Sequence, residues 1–285
     1  MLNWFGPTLL MTCSPTRFTV QRRTRFGRDC DAPVIYDLIA SQAQLGAQRC
    51  LSAQGINVLL DQFSIALSKL APNGATIDIV VDDAWCRLFM TTPPSNPATR
   101  ADLTAAVALR FQNLYGDSTA DWVLQADQQV SKPFVCAALP QAMQQGFVDI
   151  ADKSRSRITR LVPAYVDAWS LIRRSVGPSD WFAQIGEAQI TLAIFNDVRL
   201  RYLMQLPLDP FATRQSTWLM QLMQREALRL NLPSPKRIIC TGSVPAAWII
   251  ANDAGQPCQV VTAQKRTSHE QNSDTAAAVP AGPSR

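Results

Sequence analysis

The 285-residue sequence is 47% hydrophobic and 17% charged, with a net charge of +5. That length suits one large domain or two of about 150 residues each, and the composition is too apolar for a disordered chain and too mixed for a bundle of membrane helices. No apolar run approaches the roughly 18 residues of a membrane-spanning helix, and the seven cysteines include no C-x-x-C pair. The one histidine, His269, lies in a polar tail, so histidine-based acid–base chemistry, a zinc site and a disulfide framework all lack material.

Residues 1–16 read as an irregular N-terminus. The stretch 1–13 is mildly apolar but has no basic region, and Thr12 before Cys13 fits a signal cleavage site poorly, which points to a cytoplasmic protein with reduced thiols. Residues 17–25 (RFTVQRRTR) mix β-branched, aromatic and long polar side chains, as a half-solvated strand does. Arg17, Arg22, Arg23, Arg25 and Arg28 form the densest basic group; they either meet phosphate or anionic lipid or line a solvated face. The span 32–55 is weakly helical. A helix over 57–70 is better marked, because Leu59, Leu60, Phe63, Leu67 and Leu70 recur at three and four, before Pro72-Asn73-Gly74 stops it.

Two β-rich runs, 76–81 and 85–90, joined at Asp82-Asp83-Ala84, read as a hairpin or a sharply bent strand pair. The paired aspartates fit turn chemistry better than a metal site, since Asp accepts local backbone N–H groups there. Thr99 and Asp102 make an acidic capping box for a helix that presents Leu103, Val107, Phe111 and Leu114 and ends at Gly116. Strands at 122–126 and 134–139 follow. Pro140 then opens a helix with Met143, Phe147, Ile150 and Ala151 inward, and a strand at 157–162 leads to a helix over 164–174, broken at Gly177-Pro178.

The second half starts again with strands, at 181–185, 190–195 and 200–206, linked by Gly186-Glu187-Ala188 and Asn196-Asp197. A helix over 213–230 carries Trp218, Leu219, Leu222, Met223, Glu226 and Leu230 on one stripe. A buried strand at 237–241, the turn Gly242-Ser243 and a short helix over 244–250 complete it, and 262–285 is a polar, aperiodic tail expected to be disordered. Strands followed by helices alternating with strands, twice over, describe a mixed α/β fold of two RNase H-like βββαβα-type units, 17–176 and a shorter 177–261, in an actin-like arrangement.

From 77 to 169 the sequence resembles actin-like cytoplasmic assembly proteins, the PilM of type IV pili and the cytoplasmic part of the type II secretion protein GspL. The resemblance rests on Asp-Ala-Trp-Cys-Arg-Leu-Phe at 83–89, the capped helix with Ala-Leu-Arg-Phe at 108–111, Cys-Ala-Ala-Leu-Pro at 136–140 and Leu-Val-Pro-Ala-Tyr-Val at 161–166. It continues through Trp181-Phe182, the turn at 196–197 and the strand from Arg237, covering roughly 76–250. Such a family implies nucleotide on glycine turns in the cleft between the halves. Gly186, Thr191, Gly242 and Ser243 would then be vestigial nucleotide positions, with ATP the one cofactor to consider. Gln184 stands where the family's turn carries Asp, and Asp82-Asp83-Ala84, taken as the first-half turn, has no glycine.

The resemblance implies a degenerate, non-catalytic scaffold or adaptor of a bacterial pilus or secretion apparatus. Its partner would be an inner-membrane assembly protein or its cytoplasmic peptide, with membrane contact through that partner and no nucleic acid. The alternatives on the same fold are an ATP-binding protein or phosphotransferase, or a metal-dependent nuclease in which Asp82, Asp83, Asp180 and Glu187 converge. Cys86, Cys136 and Cys240 fall in predicted strands with no histidine near, as buried inert thiols do.

Overall fold

A computed structural model describes residues 8–24, 30–38, 50–71, 73–129, 131–196, 199–250 and 259–262. Its first sheet takes β1 (Thr8–Cys13), β2 (Arg17–Arg23), β3 (Val34–Asp37), β4 (Thr76–Val81) and β8 (Arg157–Pro163) in the order β3-β2-β1-β4-β8. β3, β2 and β1 run antiparallel, and β1, β4 and β8 parallel. The second sheet repeats that order as β11-β10-β9-β12-β13, with β9 (Asp180–Ile185), β10 (Gln189–Asn196), β11 (Arg199–Pro207), β12 (Arg237–Gly242) and β13 (Gln259–Thr262). Here too the first three strands are antiparallel and the rest parallel, so the fold is the expected pair of RNase H-like units.

Between β4 and β8 the first unit carries an insert. Its antiparallel sheet has the order β5-β7-β6, from β5 (Arg87–Thr91), β6 (Trp122–Ala126) and β7 (Phe134–Pro140). Helix α2 (Arg100–Tyr115) covers one face of it. Both branches of the capping box at Thr99 and Asp102 are made, and Gly116 closes the helix in the left-handed conformation, as the sequence predicts.

Helices α1 (Ala53–Leu70) and α3 (Gln141–Lys153) lie on one face of the first sheet. Leu59, Phe63 and Leu67 of α1 and Met143 and Phe147 of α3 meet Leu9, Met11, Ile77 and Ile79, all buried. Gly146 permits this approach, because a Cβ there would lie 2.3 Å from Leu60 Cδ1. On the second sheet α5 (Trp218–Arg229) buries Leu219, Leu222 and Met223, and Trp218 stacks on Trp248 of α6 (Ala246–Ile250) at 5.4 Å. Glu226 stays in the buried stripe because Arg229 donates to it at 2.6 Å. Helix α4 (Ala164–Ile172) joins the units: Tyr165 stacks on Phe182 of β9 at 5.4 Å and Trp169 on Phe195 of β10 at 5.0 Å.

Three expectations are corrected. Residues 8–13 are not irregular but form the central strand of the first sheet; a strand buried on both faces reads as an apolar run without alternation. Within the span 32–55, residues 34–37 form β3, whose four exposed or half-buried residues leave no helical period to find, while 53–55 open α1 and 39–49 lie outside the described residues. Asp82-Asp83-Ala84 does not join a hairpin, since β4 and β5 belong to different sheets and a short 3-10 turn, Asp83–Trp85, turns the chain between them. Arg25 and Arg28 of the basic group, Asp197 of the turn at 196–197, Cys258, His269 and the tail beyond Thr262 lie outside the described residues.

Candidate functional site

Two hairpin turns face each other where the units meet. The β1–β2 turn offers Thr16, whose N–H and Oγ1 donate to Glu187 Oε2 of the β9–β10 turn at 3.1 and 2.5 Å. Beneath them lies the end of β4. Asp82 N–H donates to the Cys13 carbonyl at 2.7 Å, and Asp82 Oδ1 accepts from Ala84 N–H at 2.9 Å.

Asp83 crosses the joint. Its Oδ1 accepts from the Tyr165 N–H at 2.9 Å, at the start of α4, and its Oδ2 from Thr191 Oγ1 at 2.6 Å, on β10. Gln205 of β11 completes the seam: Nε2 donates to the Asp83 and Cys86 carbonyls at 3.0 and 3.2 Å, while Oε1 accepts from Leu88 N–H at 2.8 Å. Burial pushes the Asp82 carboxyl up to about 6, and burial with the adjacent Asp82 charge pushes Asp83 up to about 7.

The predicted nucleotide positions are occupied by the protein's own contacts. A Cβ on Gly186 would lie 2.7 Å from Asp82 Oδ2, so a carboxylate covers the turn where phosphate would approach. Thr191 is fully buried and spends its hydroxyl on Asp83. Gln184 accepts from Thr241 Oγ1 at 2.5 Å. Gly242 has a φ of +84° and lies against the Ile185 carbonyl, to which Ser243 N–H donates at 2.9 Å; this explains the glycine by the turn alone. Glu187 takes up the Thr16 N–H and hydroxyl and Asp82 covers Gly186, so the turn groups that could meet a phosphate are already engaged. These residues do not fit ATP.

The turn expected in the first half is also corrected, since the counterpart of the Gly186 turn there is Ser14-Pro15-Thr16 and not Asp82-Asp83-Ala84. Of the four carboxylates considered for a nuclease, Asp180 does not join the others. It sits at the opposite end of β9, ion-paired with Arg237. Among the described residues, no three His, Cys, Asp or Glu side chains are arranged to hold a metal ion. Cys13, Cys50, Cys86, Cys136 and Cys240 are all buried; burial raises the Cys13 and Cys86 thiols above the ordinary thiol range, Cys50 to about 12 and Cys136 to about 11, which favours the protonated form of these four.

A second concavity lies on the other face of the insert, with a cavity volume of about 690 Å³. β7 alternates strictly: Phe134, Cys136 and Ala138 pack under α2, while Val135, Ala137 and Leu139 turn to the groove. Val123 of β6 and Val166 and Trp169 of α4 complete an apolar lining. The groove runs between β6 and β8, which are both outermost strands of their sheets and have backbone groups to offer. The alternation is legible in 134–140, but the face left open by the fold is not.

No family model matches the sequence, and no curated protein is detectably similar. Solved structures do match. A Bacteroides thetaiotaomicron protein with an actin-like ATPase fold aligns with a TM-score of 0.60 over 92% of this chain and 94% of its own, at 10% identity. The PilM–PilN type IV pilus biogenesis complex aligns at 0.61, over 90% and 88%, at 12% identity. The cytoplasmic domain of EpsL, an inner-membrane component of the Vibrio cholerae type II secretion system, aligns at 0.51, over 82% of each chain, at 8% identity. The chain therefore has the actin-like fold, of the same kind as the PilM and EpsL structures.

Proposed function

We propose that this protein is a non-catalytic scaffold on the cytoplasmic side of a bacterial pilus or secretion apparatus, which holds a short apolar peptide segment of an inner-membrane assembly protein. The observation that carries the reading is the open groove between β6 and β8, apolar along its floor and flanked by two sheet edges. An extended peptide suits such a site, because edge strands supply main-chain hydrogen bonds and alternate side chains enter the apolar lining. Support comes from the fold shared with PilM in its complex with PilN and with the EpsL cytoplasmic domain. Further support is the cleft, whose turn groups are already engaged and which is poorly suited to nucleotide. No described helix is long and apolar enough to cross a membrane, which is consistent with reaching the membrane through a partner.

The test is calorimetric titration with synthetic peptides taken from the cytoplasmic segments of the inner-membrane proteins encoded beside this chain. One such peptide is expected to bind, and Val123→Asp and Val166→Asp to remove the binding by placing an unpaired charge in the groove. Magnesium-dependent ATP binding at micromolar affinity, about −8 kcal/mol, overturns the reading, as does failure of every peptide.

A further inference from the structure

The basic character noted around β2 is only part of a larger feature that the fold assembles at one end of the first sheet. Arg23, Thr8, Thr76 and Arg157 are consecutive partners along one register row of β2, β1, β4 and β8. That row marks the end at which the parallel strands begin. Helices α1 and α3 both finish there, bringing Lys69 and Lys153 in their last turns. Arg22 Nη2 donates to the Leu70 carbonyl at 3.2 Å, and Gly74 lies against the Arg155 carbonyl. Six cations from three separate chain segments, 22–23, 69 and 153–157, therefore share one end, and all but the half-buried Arg23 are exposed. Acidic residues stand near them too: Asp152 beside Lys153, Asp149 one turn back on α3, and Asp78 two residues beyond Thr76 on β4.

Helix-end electrostatics accounts for Lys69 and Lys153, since cations favour helix C-termini. It accounts as well for Arg22, which donates to the last carbonyl of α1, and leaves Arg155 and Arg157 unexplained. β3 begins three register rows in from this end, where Val34 pairs with Val20 of β2 and is 41% exposed. An exposed aliphatic side chain beside clustered cations fits a lipid surface, whose headgroups are anionic and whose interface admits apolar groups. Nucleic acid would favour stacking aromatics, and among the described residues the large exposed aromatics, Tyr202 and Phe211, belong to the second unit.

We propose that this end of the first unit is a docking face for anionic lipid headgroups, made by Arg22, Lys69, Lys153, Arg155 and Arg157, with Val34 at its margin. The protein then holds the membrane surface directly, in addition to any grip through a partner. This inference is independent of the peptide groove, which lies on the insert.

The experiment is co-sedimentation of the full chain with vesicles of phosphatidylethanolamine and phosphatidylglycerol, against phosphatidylcholine vesicles, at low and high salt. Binding is expected to the anionic vesicles alone and to be lost in high salt. The triple variant Lys69→Gln/Lys153→Gln/Arg157→Gln is expected to lower partitioning by about 100-fold, at about fivefold per cation. Lys69→Arg/Lys153→Arg is expected to keep it. A control with the same charge removed from the second unit, Arg199→Gln/Arg214→Gln/Lys236→Gln, is expected to stay within about threefold of wild type, since none of the three belongs to the docking face. No binding to anionic vesicles overturns the proposal, and so does an equal loss in the two Gln triple variants. Duplex DNA binding that the first triple variant abolishes, in place of vesicle binding, overturns it in favour of nucleic acid.

Discussion

The two units have one strand order and different uses. In each, three antiparallel strands are followed by parallel ones, and the turn after the first strand points to the joint. In the first unit the link between the two parallel strands after β1 is a whole subdomain, with α2 and its own sheet and core. In the second, the link from β12 to β13 spans only 243–258. The shared part closes the molecule on itself, through Thr16 on Glu187 and Asp83 on Thr191. The unshared part opens a groove. Duplication thus supplied the frame, and the insertion supplied the surface that can hold something else.

The joint is where the comparison breaks most easily. Phe182 has no exposed surface and stacks on Tyr165 of the helix between the units. Phe182→Ala is expected to cost about 3–5 kcal/mol, read by urea denaturation, and to separate the unfolding of the two units into two transitions. A single transition of unchanged midpoint refutes the assignment of this cluster as the joint.

The next effect is on pH dependence. The Asp82 and Asp83 carboxyls sit above their ordinary range in the folded chain, at about 6 and about 7. Between roughly pH 4 and 7 the folded protein therefore keeps protons that the unfolded chain has given up. Stability is greatest at the acid side of that window, falls as pH rises through it, and levels off above. The expected fall is on the order of a few kcal/mol. In Asp83→Asn the amide can still accept from Tyr165 and donate to Thr191, so the fold is retained and the slope shrinks. Thermal melts of both proteins from pH 5 to pH 8, values that bracket the two raised carboxyls, measure the difference.

The insert answers to other forces. The Arg87 guanidinium lies 4.3 Å from the Tyr115 ring and 4.5 Å from Trp122, and it pairs with Asp117 at 2.5 Å. Arg87→Lys loses the planar stacking and is expected to cost about 1–2 kcal/mol. Hydrogen exchange should show the loss in β6 and β7 with the two large sheets unaffected. The smallest effect belongs to the exposed clasp: Thr16→Ala removes one side-chain hydrogen bond to Glu187, worth about 0.5–1.5 kcal/mol. A much larger loss would mean that the hairpin turns, rather than the apolar contacts of α4, hold the units together.

Much of the fold is legible in the amino-acid sequence. The spacing of Leu59, Phe63 and Leu67 marks α1, Thr99 and Asp102 mark the start of α2, and Gly186-Glu187-Ala188 marks the β9–β10 turn. The candidate site is legible only in part. Gly186, Thr191 and Gly242 stand out in the sequence, and Gly186 and Thr191 do lie at the joint, yet each is engaged by Asp82 or Asp83, residues whose own pattern suggests only a tight turn. Val135, Ala137 and Leu139 show their alternation without showing which face stays open.

The sequence by itself determined the local elements, because helix periodicity, caps and turn residues act over a few neighbouring positions. It also determined that histidine and paired-cysteine chemistry have little to work with. Only the tertiary structure decided that β1 is central, that Asp82 and Asp83 face the turn of the other unit, and that Lys69, Lys153 and Arg157 stand at one end. Strand order and register are set by pairings between distant segments. A residue's own neighbours report that it is buried or solvated, and not which side chain from elsewhere in the chain it will meet.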